Sequence, residues 1–184
     1  TSFFGLRVDD LKTAINSAGN NDVIDLRLDD KDLQVSISGS LNMKYKIMLL
    51  DKAEVNQPIP RCSYKTRISL QPNTLSRILS NLERFSEFVS INSSSNHVEF
   101  SGRGDSGDAR INIDSSNPEL KNINSPDKVV SNYSLEYMIK VIRSIGKASR
   151  MVDMEYDADK PMRLNFEMPS EVKVEYYLAP RIEQ

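Results

Sequence analysis

Apolar and polar residues alternate along most of the chain, and three times that alternation gives way to apolar residues spaced three and four apart. Period-two alternation predicts strands, and spacing at i, i+3, i+4 predicts amphipathic helices. The pattern predicts a strand at Phe3–Val8, a helix at Asp9–Ala18, then strands at Asp22–Leu28, Leu33–Ser38 and Lys44–Leu50. The same order returns as Lys65–Leu70, helix Asn73–Ser86, Val89–Asn92, Val98–Ser101 and Ala109–Ile113. It returns again as Val129–Tyr133, helix Ser134–Lys147, Met151–Tyr156, Met162–Met168 and Val172–Leu178. A repeat of roughly 60 residues exceeds the ~20–50 of solenoids and propellers, so each copy reads as half of a compact domain. The expected fold class is α+β: repeated strand-helix-strand-strand-strand units, one complete domain plus half of another.

Each helix has an apolar stripe and a polar face. Leu11, Ala14 and Ile15 point inward in the first, with Lys12 and Asn16 outward. In the second, Leu75, Ile78, Leu79 and Leu82 point inward and Arg77 and Arg84 outward. In the third, Leu135, Met138, Ile139 and Ile142 oppose Lys140, Arg143 and Lys147. The outward faces read as Lys, Arg, Ser and Asn with few acids, in a chain whose formal net charge is −2. Equivalent positions in a repeat put such faces on one side, and a one-sided positive strip suits a phosphate backbone followed without base reading. For a single helix, an ordinary solvated face explains the same pattern.

The segment Asp51–Tyr64 carries two prolines around Ile59, which favour extended backbone over helix or central strand. It reads as a connector between residues 1–51, a half domain, and 65–184, a complete one. Ile59 and Tyr64, apolar on an extended segment, could form one wall of a peptide groove.

At 184 residues and 39% hydrophobic the chain can bury a core, and its balance of charge excludes a bulk-basic nucleic-acid binder. No apolar run reaches the ~20 residues of a membrane span and no signal-peptide layout opens the chain, so an intracellular protein is expected. Thr1 and the lone half unit suggest that sequence precedes it. The single cysteine, Cys62, excludes an intrachain disulfide.

Catalytic constellations do not stand out. His97 is the only histidine and reads as a solvated turn residue. There is no Cys-x-x-Cys, P-loop or dinucleotide glycine pattern. The run Ser101–Asp108 lacks the ligand spacing of a calcium loop and reads as a turn between strands. Asp153, Glu155, Asp157 and Asp159 read as a solvated acidic edge. No catalytic residue, metal or cofactor is expected.

The ending Glu175–Glu183, with Tyr-Tyr-Leu-Ala-Pro inside it, the connector Ile59-Pro60 followed by Tyr64, the helix exit Ala18-Gly19-Asn20 leading to Arg27, and the helix Ser134–Gly146 resemble the proliferating cell nuclear antigen family of sliding DNA clamps. The Gly146-Lys147-Ala148 exit is similar to archaeal members. The resemblance runs along essentially the whole chain and covers about three quarters of a family subunit.

That resemblance implies a non-enzymatic processivity factor: a trimeric ring with helices lining the hole and sheets outside, loaded on duplex DNA by a clamp loader. The DNA-facing residues would be Lys12, Arg77, Arg84, Lys140, Arg143 and Lys147. Replication and repair enzymes would dock a short peptide in a groove of Ile59, Pro60, Tyr64, Pro161, Tyr177, Leu178, Ala179 and Pro180. Neighbouring subunits would join the strand containing Lys44, Tyr45, Lys46, Ile47 and Met48 to that containing Ala109, Arg110, Ile111, Asn112 and Ile113. The protein would work in the archaeal cytoplasm on the nucleoid, or in the nucleus of a eukaryote. The alternatives are a subunit of a heterotrimeric or checkpoint-type clamp, and an unrelated β-rich enzyme or ligand-binding domain.

Overall fold

The computed structural model describes residues 4–50, 59–169 and 172–181. Two compact units divide between Ile59 and Pro60.

In the first unit, helix α1 (Val8–Asn16) precedes three antiparallel strands, β1 (Val23–Leu28), β2 (Asp32–Ser38) and β3 (Met43–Met48), ordered β1-β2-β3. Asp9 and Asp10 in the first turn of α1 favour the helix dipole. The predicted opening strand is instead an isolated antiparallel bridge between Gly5 and Leu50, and Val8 already belongs to the helix. The core gathers Ala14 of α1, Leu33, Val35 and Ile37 of β2, and Ile47 of β3. Ile15, expected inward, is 38% exposed. A three-stranded sheet covers only a narrow strip of the helix.

The second unit contains two halves. The first half is β4 (Thr66–Leu70), α2 (Pro72–Leu82), β5 (Phe88–Ser93), β6 (His97–Gly104), β7 (Gly107–Asp114) and β8 (Leu120–Asn124). The second is β9 (Val129–Ser134), α3 (Leu135–Ile145), a 3-10 turn at Gly146–Ala148, β10 (Met151–Tyr156), β11 (Met162–Glu167) and β12 (Lys173–Leu178). Each half lends its leading strand to the other. β4 pairs with β10 in the sheet β12-β11-β10-β4-β8, and β9 pairs with β5 in the sheet β7-β6-β5-β9. The inward residues of both sheets, among them Val89, Ile91, Phe100, Val152, Met154 and Phe166, form one core with α2 and α3. Tyr133 and Tyr156 meet edge to face inside it, their centroids 6.4 Å apart.

Strand β8 is absent from the sequence expectation because Asn and Lys interrupt its only apolar positions, Leu120 and Ile123. Its pairing with β4 holds it in the sheet. The turn expected over Ser101–Asp108 narrows to Asp105-Ser106: β6 and β7 stay paired up to Gly104–Gly107, and Gly107 has φ 135°, a conformation that glycine tolerates. His97 begins β6, with Nδ1 2.7 Å from Ser94 Oγ.

Candidate functional site

Helices α2 and α3 pack side by side, and their outward faces carry the predicted cations. Pro72 opens α2 where its missing N–H costs nothing. Leu75, Ile78, Leu79 and Leu82 of α2, and Leu135, Met138, Ile139 and Ile142 of α3, are buried, which turns Arg77, Lys140 and Arg143 to the surface. Arg84 lies just past α2 and Lys147 in the 3-10 turn, both exposed. Lys12 is exposed on α1 in the other unit.

The strip is less purely basic than the sequence pattern implies. Lys140 Nζ lies 2.5 Å from Glu136, whose hydrogen bond raises the lysine pKa. Arg143 spans to α2, donating to Glu83 at 3.2 Å and to Ser80 Oγ at 3.4 Å. Arg77 reaches sideways to Glu119 at 3.8 Å. Glu119 comes from outside the helices, whereas Glu83 and Glu136 lie within the predicted helix spans, so the faces carry more acid than expected. These pairs are solvent-exposed, worth about 0–1 kcal/mol each, and readily exchanged for another anion. Among the described residues, Lys12, Arg84 and Lys147 make no ion pair within 4 Å.

On the five-stranded sheet, Tyr64, Pro161, Tyr177 and Pro180 are half-buried and Ala179 is exposed. Arg163 joins them: its guanidinium sits 5.5 Å from the Tyr64 ring centre, and β11–β12 pairing places it opposite Tyr177. Burial works against the charge of Arg163, yet the hydrogen bonds it donates to Glu155 and Tyr177 hold its pKa above the ordinary value. Burial also pushes the Tyr64 hydroxyl well above the usual tyrosine range. Pairing alone brings Arg163 here, and no local sequence signal could have found it. Leu178 is corrected: it is 7% exposed and belongs to the core, so its side chain offers nothing to a partner. Pro60 is exposed, and Ile59, in the other unit, is 68% exposed.

The acidic residues of β10 are also corrected. Rather than a solvated edge they occupy a central strand. Asp153 meets Arg67 at 2.6 Å and Ser69 Oγ at 2.5 Å, and Glu155 accepts from Arg163 Nε at 2.6 Å and from Asn165 at 3.2 Å. Among the described residues, no group of three or more His, Cys, Asp or Glu is placed to hold a metal. None of the described helices is long and apolar enough to cross a membrane.

The two strands expected at a subunit junction are sheet edges. β3 ends the sheet of the first unit, and β7 ends the four-stranded sheet of the second. Lys44, Lys46, Met48, Arg110 and Asn112 are exposed, while Tyr45, Ala109 and Ile111 are half-buried. Ile47 and Ile113 are each 5% exposed, and the register turns their backbone groups inward to β2 and β6, so the edge is offered by the residues on either side of them. Lys46 is held by the buried Asp32 at 2.9 Å.

The family described as "Proliferating cell nuclear antigen, C-terminal domain" matches residues 58–181. The "DNA polymerase sliding clamp" of Nitrosopumilus maritimus is 30% identical over 180 residues, 98% of this chain and 72% of the relative. This chain belongs to the proliferating cell nuclear antigen family. The "DNA polymerase sliding clamp" of Cenarchaeum symbiosum is 31% identical over 179 residues, 97% of this chain and 72% of that one. Among solved structures, the clamp of Thermococcus kodakaraensis superposes with a TM-score of 0.85 at 20% identity, over 95% of this chain and 71% of the other. A chain of the "PCNA2-PCNA3 complex" from Sulfolobus tokodaii superposes with a TM-score of 0.83 at 19% identity, over 97% and 72%. The α+β clamp fold and membership among non-enzymatic sliding clamps follow.

Proposed function

We propose that this clamp-family chain assembles head to tail into a ring that encircles duplex DNA and tethers replication and repair enzymes. The observation that supports it is that β3 and β7, one in each unit, each end a sheet, because two different edges on one chain permit heterologous pairing that closes into a ring. Antiparallel addition would join residues 44–48 of one subunit to 109–113 of the next. Lys12, Arg77, Arg84, Lys140, Arg143 and Lys147 would face DNA, their weak exposed contacts permitting sliding while topology keeps the ring in place. Ile59, Pro60, Tyr64, Pro161, Tyr177, Ala179 and Pro180 would receive clamp-binding peptides. A clamp loader, and an archaeal nucleoid setting, complete the reading.

Sedimentation of the wild type and of Asn112→Pro tests the junction. The Asn112 N–H faces away from β6, so proline removes a donor at the free edge of β7 and spares the β6–β7 ladder; loss of the higher-mass species is expected, and an unchanged oligomer counts against this edge. Retention on nicked circular DNA, lost on linearisation, tests encirclement. A heteromeric ring is the second reading, favoured by the Sulfolobus neighbour's description as a complex of two different clamps; a monomer that assembles only with a second clamp would select it.

A further inference from the structure

A trench crosses the outer face of the sheet β7-β6-β5-β9; neither the basic helices nor the tyrosine groove uses it, and it shares with the proposed junction only Ala109 and Arg110 of β7, whose edge backbone that junction would pair. Val89 and Ile91 of β5 point into the core, so Phe88 and Ser90 point out. Pairing then aligns Arg110, Ser101, Ser90 and Asn132 in one cross-strand row over all four strands. Small hydroxyl residues occupy the middle of that row and leave a depression. The result is a cleft of about 590 Å³, with Arg103, Arg110 and Arg181 lining it beside Ser90, Ser101 and Asn132.

Arg181 is built into this cleft. Its backbone N–H donates to Asn132 O at 2.8 Å, which ties the chain to the free edge of β9. Its guanidinium carbon lies 3.4 Å from the centre of the Phe88 ring, a stacked contact that fixes the plane and leaves the N–H edges to a ligand. A neighbouring cavity of about 440 Å³ shares Phe88, Arg103 and Arg181 and extends the trench toward the β6–β7 turn. Arg110 meets Asp108 loosely at 3.9 Å, and among the described residues Arg103 and Arg181 form no ion pair.

Three guanidiniums above a floor of hydroxyls are complementary to carboxylates. Asp105, Asp108 and Glu87 also line the two cavities. They oppose a ligand with an unbroken line of negative charge but leave room for separated carboxylates. Four strands set about 4.8 Å apart make the row roughly 15 Å across, the reach of four or five extended residues. We propose that this trench is a docking site for an acidic peptide segment of a protein partner, gripped by Arg103, Arg110 and Arg181.

The test is fluorescence anisotropy of the full chain with a labelled heptapeptide of alternating Glu and Ser, beside the same peptide with Gln for Glu. Expected are binding of the Glu peptide that weakens as salt rises, at least tenfold loss in Arg103→Gln/Arg181→Gln, substantial retention in Arg103→Lys/Arg181→Lys, and less than twofold change in Lys140→Gln/Arg143→Gln. Thermal melting confirms that each variant is folded. No binding of the Glu peptide, equal binding of the Gln peptide, an unaltered Arg103→Gln/Arg181→Gln variant, or a loss confined to the helix variant overturns the proposal. Displacement of the peptide by a short oligothymidylate at lower concentration overturns it in favour of nucleic acid.

Discussion

Strands β1 and β10 stand at equivalent places in their repeats and share a binary pattern, yet their surroundings differ. Val23-Ile-Asp-Leu-Arg-Leu28 leaves all six residues exposed, whereas Met151-Val-Asp-Met-Glu-Tyr156 buries every second one. β10 lies between β11 and β4, with a helix pair completing the core on its inward side; β1 pairs with β2 alone. Ile24 and Leu26 are 38% and 52% exposed, while Val152, Met154 and Tyr156 are fully buried. A strand's alternation records the face it is suited to bury, and burial itself requires a neighbour from elsewhere in the chain.

The largest effect should separate these two strands directly. Tyr156→Ala removes a buried ring and should cost about 3–5 kcal/mol in denaturant unfolding, whereas Leu26→Ala should cost less than about 1 kcal/mol. A Leu26→Ala cost as large as that of Tyr156→Ala would mean that β1's apolar face is covered in solution.

Alkaline unfolding comes next. Burial pushes the Tyr133 hydroxyl, which donates to Lys160 O at 3.0 Å, up to about 12. A raised tyrosine pKa means that the folded state prefers the neutral form. Its stabilisation is whole below the unfolded value near pH 10 and disappears as pH climbs to about 12, on the order of 2–3 kcal/mol. Tyr156, pushed the same way by burial, adds to the loss. Denaturant titrations from pH 9 to 12 should show this decline in the second unit, and Tyr133→Phe should flatten it.

The smallest effect contrasts the polar residues of the same strands. Glu155→Ala breaks the contacts to Arg163 and Asn165 and should cost about 1–2 kcal/mol; Arg27→Ala on β1 should lie within about 0.5 kcal/mol of the parent. Equal costs would show that the β10 network contributes no more than a surface charge. Neutralising Arg77, Lys140, Arg143 and Lys147 together should leave stability nearly unaltered and reduce the salt dependence of association with linear DNA.

Element type was legible wherever the periodicity was strong. The helix stripes at Leu75–Leu82 and Leu135–Ile142 are buried as read, and the paired strands of both units lie within a few residues of expectation. Local pattern failed where polar residues interrupt it, as in β8, and where a strand's acids are paired across a sheet, as with Asp153 and Glu155. Of the groove residues, Leu178 was misplaced because its apolar character suits a core and a surface pocket equally. Arg163 was missed because Tyr64, the ring it faces, lies far away along the chain.

The sequence by itself determined the repeat, the α+β class, the inward stripe of each helix and, through Tyr-Tyr-Leu-Ala-Pro and the connector, the family, since periodicity and short motifs are local properties of the chain. Tertiary structure alone decided which strands are edges, which cations meet Glu83 or Glu119, and that Arg181 settles on Phe88 above a trench. Those outcomes depend on pairing between distant segments, and the free energy of a cross-strand contact resides in neither segment alone.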